Sequence, residues 1–100
     1  MSRARLEEAW ARSLRVAARR VGERYVLVRL VGDGVDLDDA FDLNRVAAFI
    51  WEQLDGERTV ASIVDAVVER FAVERGAAEA DALELLEALH ARRAILPGRR

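Results

Sequence analysis

The chain has no cysteine, and that single absence removes disulfides, thiolate nucleophiles and cysteine metal sites together. It has one histidine, His90. Ligation of a metal by two histidines is therefore excluded, and a Ser/His/Asp triad would have to run through that one imidazole. Lysine is missing too, since all 16 basic residues are arginine. That bias reads first as composition, although arginine does suit planar contacts to carboxylates. No stretch approaches the roughly 18 to 20 uninterrupted apolar residues of a membrane span. The opening MSRARLEEAW carries charges where a signal peptide has its apolar region, so a soluble, cytoplasmic protein with no membrane partner is expected. A basic excess is absent as well: a net charge of -2 and a pI near 5.4 speak against a dedicated nucleic-acid binder.

What is present is enough apolar material for one core. With 52% hydrophobic residues in 100, the chain can offset the entropy of ordering a single domain, but it is too short for two cores. Charge is unevenly placed. Residues 1 to 24 hold seven arginines against Glu7, Glu8 and Glu23, whereas residues 32 to 42 hold Asp33, Asp36, Asp38, Asp39 and Asp42 with no base. The plain reading is a solvated tail and an acidic loop, and the sharper one is an acidic rim facing a basic partner.

Leu6 and Trp10, four apart, predict an N-terminal helix over residues 3 to 12. Arg15 to Val21 reads as a weak strand, and YVLVRLV at Tyr25 to Val31 as the best strand in the chain. After the Asp33-Gly34 turn, apolar Val35, Leu37, Phe41 and Leu43 alternate with aspartates as in a half-buried strand; the alternation falters at Asp39-Ala40, where a bulge or loop fits. At Asn44 the period becomes helical. Asn44 is a good N-cap, Val46, Ala47, Ile50, Trp51 and Leu54 share a face, and Gly56 suits a left-handed C-cap. A second helix, capped by Thr59 and running to about Ala72, buries Val60, Ile63, Val64, Val67 and Phe71. A third covers about Ala77 to Arg93, with Ala78, Ala82, Leu85, Leu86 and Leu89 inward, closed by Ile95 and Leu96 before Pro97. This order is α+β, and a three-stranded sheet leaves at least one edge open to further strands.

Candidate chemistry is thin. Asp36, Asp38 and Asp39 offer paired carboxylates, but an acid/base pair needs a shaped, desolvated cleft, and these lie in the most solvated part of the sequence. They lack a calcium-loop pattern. His90 has no neighbour at metal spacing, and the glycines form no phosphate loop. The last two helices could mimic a helix-turn-helix unit, making a winged-helix DNA-binding protein the rival reading. Glu79, Asp81, Glu84 and Glu87 along the would-be recognition helix oppose it, because carboxylates repel phosphates. A third reading is a scaffold that homodimerises through Trp10 and the N-terminal helix.

Four runs carry a family resemblance: YVLVRL at 25 to 30, DLDDAFDLN at 36 to 44, VAAFIWEQLDGERTVASIVDAVVERFAV at 46 to 73 and AEADALELLEALHARRAIL at 78 to 96. Together they resemble the PqqD family, the peptide chaperones also called RiPP recognition elements. The ordered set Leu43-Asn44, Ile50-Trp51, Leu54-Asp55-Gly56, Thr59 and Ile63 is its strongest part. The resemblance implies a three-stranded antiparallel sheet followed by a winged-helix-like three-helix bundle. It divides the chain into an N-terminal helical extension at 1–16, a PqqD-like domain at 17–96 and a tail at 97–100. It also implies a non-enzymatic module with no cofactor. Members bind the leader of a ribosomally made precursor peptide and present it to a modifying enzyme, often a radical S-adenosylmethionine protein, in RiPP or PQQ biosynthesis.

In such members the leader adds as a strand beside the third strand, in the groove between that strand and the last helix, by β-augmentation. Carried onto this chain, the peptide-binding residues are Asp38, Asp39, Ala40, Phe41 and Asp42 on the strand, with Leu83, Leu86 and His90 on the helix flank. The acidic run then implies basic leader residues flanking the docking strand. Arg29 in place of a frequent proline, Arg75-Gly76 at the start of the last helix and Ala94 in place of a frequent glycine depart from the family's habit.

Overall fold

A computed structural model describes residues 3–98. The elements are, in order, α1 (Arg3–Leu6), β1 (Ala9–Arg12), β2 (Val16–Val21), β3 (Arg24–Val31), β4 (Gly34–Asp42), α2 (Arg45–Gln53), β5 (Asp55–Thr59), α3 (Val60–Phe71), α4 (Arg75–Ala91) and β6 (Ile95–Pro97). The alternating stretch from Val16 to Asp42 folds as an antiparallel meander, β2-β3-β4, with Val16 opposite Arg29 and Leu27 opposite Phe41.

The faltering alternation at Asp39-Ala40 marks a break in this ladder. Leu27 faces Phe41, but Arg29 faces Asp36, so residues 37 to 40 stand opposite Val28 alone. Three surplus residues are an odd number, and an odd insertion turns the side chains beyond it to the opposite face. Val35 and Leu37 were expected on the buried face with Phe41 and Leu43. They are instead 40% and 58% exposed, while Leu43 stays buried. Asp38 donates its N–H to the Asp36 carboxylate at 3.0 Å, which ties the excursion down locally.

The N-terminal helix expected over residues 3 to 12 is corrected. Helix persists only over α1, and Ala9–Arg12 is the central strand of a second sheet, β5-β1-β6. Val60 N–H donates to Glu8 C=O, Ser13 N–H to Ala94 C=O and Gly98 N–H to Ala9 C=O, each within 2.9 Å. A helix of this length is marginal in water, and two flanking strands satisfy the same backbone groups with long-range packing added. Trp10 accordingly pairs with Pro97, inside what was expected to be a tail.

Gly56 is also reassigned. The cap of α2 is Leu54, whose N–H returns to Trp51 C=O, and Gly56 lies inside β5 at φ 86°. A Cβ there would stand 3.3 Å from the Ala11 Cβ, so the glycine is required both by its backbone and by the closeness of β1.

The helical caps behave as their residue types dictate. Asn44 Oδ1 accepts from Ala47 N–H at 2.8 Å, and Thr59 Oγ1 from Ser62 N–H at 3.1 Å. One core joins Leu27 and Leu43 to Ile50, Trp51 and Leu54 of α2, Val60, Ile63, Val64 and Val67 of α3, and Leu83, Leu86 and Leu89 of α4. The α+β class thus holds, with antiparallel sheets and three main helices, and with β5 interposed between the first two of those helices.

Two stability tests follow from β5. Gly56→Ala should cost about 1–2 kcal/mol through its left-handed backbone, read as a lower urea midpoint. Asp55 Oδ1 accepts from the N–H groups of Arg58 and Glu57, both at 2.9 Å, and these bonds hold its carboxyl below its ordinary value. A lowered folded pKa contributes stability above the unfolded value that is lost as pH falls through the folded one. The gap in melting temperature between wild type and Asp55→Ala should therefore be open at neutral pH and close in acid below about pH 4.

Candidate groove beside the β4 edge

Opposed residues in an antiparallel ladder alternate between pairs that exchange hydrogen bonds and pairs that do not. Leu43 N–H donates to Tyr25 C=O at 2.9 Å, so Tyr25/Leu43 is a bonded pair. Leu27/Phe41 is then bonded as well, and Val26/Asp42 between them is not. The backbone N–H and C=O of Asp42 consequently point away from β3, onto an edge that no strand of the meander covers. The other edge, β2, is flanked by exposed Arg19 and Arg20, charges of the kind that guard an edge against pairing.

Beside β4, α4 presents Asp81, Glu84, Leu85 and Ala88, spaced three, four and seven along one stripe. With Phe41, Asp42, Asn44, Val46, Ala47 and Ile50 they enclose a groove of about 420 Å³. Its lining mixes apolar Phe41, Val46, Ala47, Ile50, Leu85 and Ala88 with polar Asp42, Asn44, Asp81 and Glu84. At one end the Arg92 guanidinium lies 4.7 Å from the centre of the Phe41 ring, and Arg29 donates to the Arg92 carbonyl at 2.6 Å. Asp42 is held by Arg24, whose Nη2 and Nε donate to its Oδ1 at 2.6 and 3.1 Å. A larger cavity, about 650 Å³, lies elsewhere, between β1, β2 and α2 around Trp51, Glu52 and Tyr25. There the Tyr25 hydroxyl donates to Glu52 at 3.3 Å, and its pKa is raised by burial first and by the Glu52 charge second.

The structure brings some of the expected site residues together and separates others. Phe41 and Asp42 line the groove, and Ala40 is half-buried just before them. Asp38 is exposed on the bulge; the side chain of Asp39 lies outside the described residues. Leu83 and Leu86 are core residues, 5% and 3% exposed, and face the wrong way for a ligand. His90 is exposed on another side, its ring 4.9 Å from that of Trp10. The groove wall is Leu85 and Ala88 instead, of which Leu85 was expected in the core. A signal for this was present: Leu83, Leu85, Leu86 and Leu89 are too many for one helical stripe, so α4 must be apolar on two sides.

The open strand edge, the groove beside it and the helices behind define a small α+β module with one free sheet edge. The chain belongs to the PqqD family: the family model described as "Coenzyme PQQ synthesis protein D (PqqD)" matches residues 24–95, as the LN, IW and LDG residues suggested. Among solved structures it is similar to "TbiB1 in Complex with the TbiA(beta) Leader Peptide", at 27% identity and a TM-score of 0.66, over 85% of this chain and 93% of that one. Comparison with curated proteins finds no match.

The division between core and groove on α4 is measurable. Leu83→Ala and Leu86→Ala should each cost about 2–5 kcal/mol in urea denaturation. Leu85→Ala, at a half-buried position, should cost about 1 kcal/mol. Equal losses at all three would place Leu85 back in the core.

Proposed function

We propose that this protein binds the leader segment of a ribosomally synthesised precursor peptide by strand addition at β4 and presents it to a modifying enzyme. The observation that carries this reading is the outward-facing backbone of Asp42 beside the groove. A leader strand laid there gains main-chain hydrogen bonds worth about 0.5–1.5 kcal/mol net each. Side chains on alternate positions would enter the groove over Phe41, Leu85 and Ala88. The similarity to a protein described in complex with a leader peptide supports the same occupant. The peptide-binding set becomes Ala40, Phe41 and Asp42 with Leu85 and Ala88, in place of Asp38, Asp39, Leu83, Leu86 and His90.

On this reading the module is non-catalytic and winged-helix-like, and acts in RiPP or PQQ-like cofactor biosynthesis. Membership of the PqqD family supports a radical S-adenosylmethionine protein as the enzyme served. The DNA-binding alternative gains nothing from the fold, since Asp81, Glu84 and Glu87 all lie exposed along α4. The scaffold alternative loses its helix, because Trp10 sits in β1.

Titration with the leader of an adjacent precursor gene should shift the amide resonances of residues 40 to 42 first. Asp42→Pro removes one outward N–H and should weaken leader binding about two- to tenfold with the fold retained by circular dichroism. Unchanged affinity in that variant would refute strand addition at β4.

A further inference from the structure

The groove has a charge defect that its own residues do not repair. Three carboxylates line it, those of Asp42, Asp81 and Glu84, while the Arg92 guanidinium stands over Phe41 at one end. Asp42 is neutralised by Arg24. Asp81 and Glu84, three apart on one helical face, have no cationic partner among the described residues; α4's own ion pair is Arg75 with Glu79, one turn earlier. Like charges neighbouring on one helical face repel, a penalty that a cation between them would relieve. The same groove is lined by Val46, Ala47, Ile50, Leu85 and Ala88, which would contact an aliphatic chain. The acidic hairpin does not serve this role. Asp36 lies beyond the bulge and Asp38 on it, both outside the groove lining.

We infer that this groove selects one basic residue, lysine or arginine, in the bound strand. Its methylenes lie on Leu85 and Ala88, and its charged end reaches Asp81 and Glu84. The ligand is thereby a peptide with a cation at one fixed position over α4, rather than a generally basic peptide attracted by the acidic hairpin. The geometry suits a snorkelling side chain, apolar along its stem and charged at its tip. This inference rests on the leader-binding reading, since the bound strand supplies the residue.

The full-length chain would be used to select strand-length peptides from a synthetic library of mixed sequence. Lysine or arginine should be enriched at a single position. For a selected peptide, replacing that residue by norleucine should weaken binding roughly two- to fivefold, an effect that disappears at high salt. The neutral pair Asp81→Asn/Glu84→Gln should bind the lysine peptide weaker by the same factor and the norleucine peptide as tightly as wild type does. Equal affinity for lysine and norleucine peptides, or an equal loss for both in the double variant, overturns the inference. Peptides bound at β4, with the Asp42 amide shifted but no basic preference, defeat this inference alone. No peptide bound at all defeats the leader reading as well.

Discussion

The hydrogen bond from Leu43 N–H to the Tyr25 carbonyl fixes the phase of the β3/β4 ladder, and the rest of the binding surface depends on that phase. With Leu43 bonded inward, Asp42 must present its backbone outward, and Phe41 and Leu43 must point to the core side. One residue of slip would exchange these roles: the groove would lose its aromatic wall and the edge its donor. The phase is anchored by burial, because Leu27 and Leu43 are both core residues. It is protected from the hairpin by the bulge at residues 37 to 40, which absorbs the mismatch between an exposed hairpin and a buried strand end.

The second requirement is a helix that packs on two sides at once. Leu83, Leu86 and Leu89 hold α4 in the core, while Leu85 and Ala88 remain at the surface as groove wall. Held in the core on that face, α4 leaves a groove between itself and β4. The sheet β5-β1-β6 backs this arrangement. Ser13 and Gly98 tie β1 to the chain after α4 at 2.9 and 2.8 Å, bracing the end of the helix that bears Arg92.

Local signals and long-range ones were unequally legible in the sequence. Asn44 and Thr59 announce their helices because a cap is decided within one turn. The buried stripes of α2 and α3 follow from periodicity for the same reason. Ala9–Arg12 could not be read as a strand, because its partners are more than forty residues away in Asp55–Thr59 and Ile95–Pro97. Nor could Val35 and Leu37 be placed, since only the register break shows that the alternation is out of phase with the core. For the site, β4 was legible through its family likeness, whereas the choice among α4 leucines needed the rotation of the helix. About 40° of helix rotation separates Leu85, at the groove, from Leu89 in the core, finer than apolar spacing alone resolves.

An open edge invites a second copy of the same strand as readily as a peptide, so selectivity has to come from what flanks it. Two β4 strands paired antiparallel about a two-fold axis would bring both copies' α4 rims together. Asp81 and Glu84 of each would then add like charge to the interface. The same unpartnered carboxylates that would welcome a basic peptide residue thus oppose self-pairing. On the proposed reading, one feature of α4 would serve as attraction for the ligand and repulsion for the competitor, the two halves of specificity.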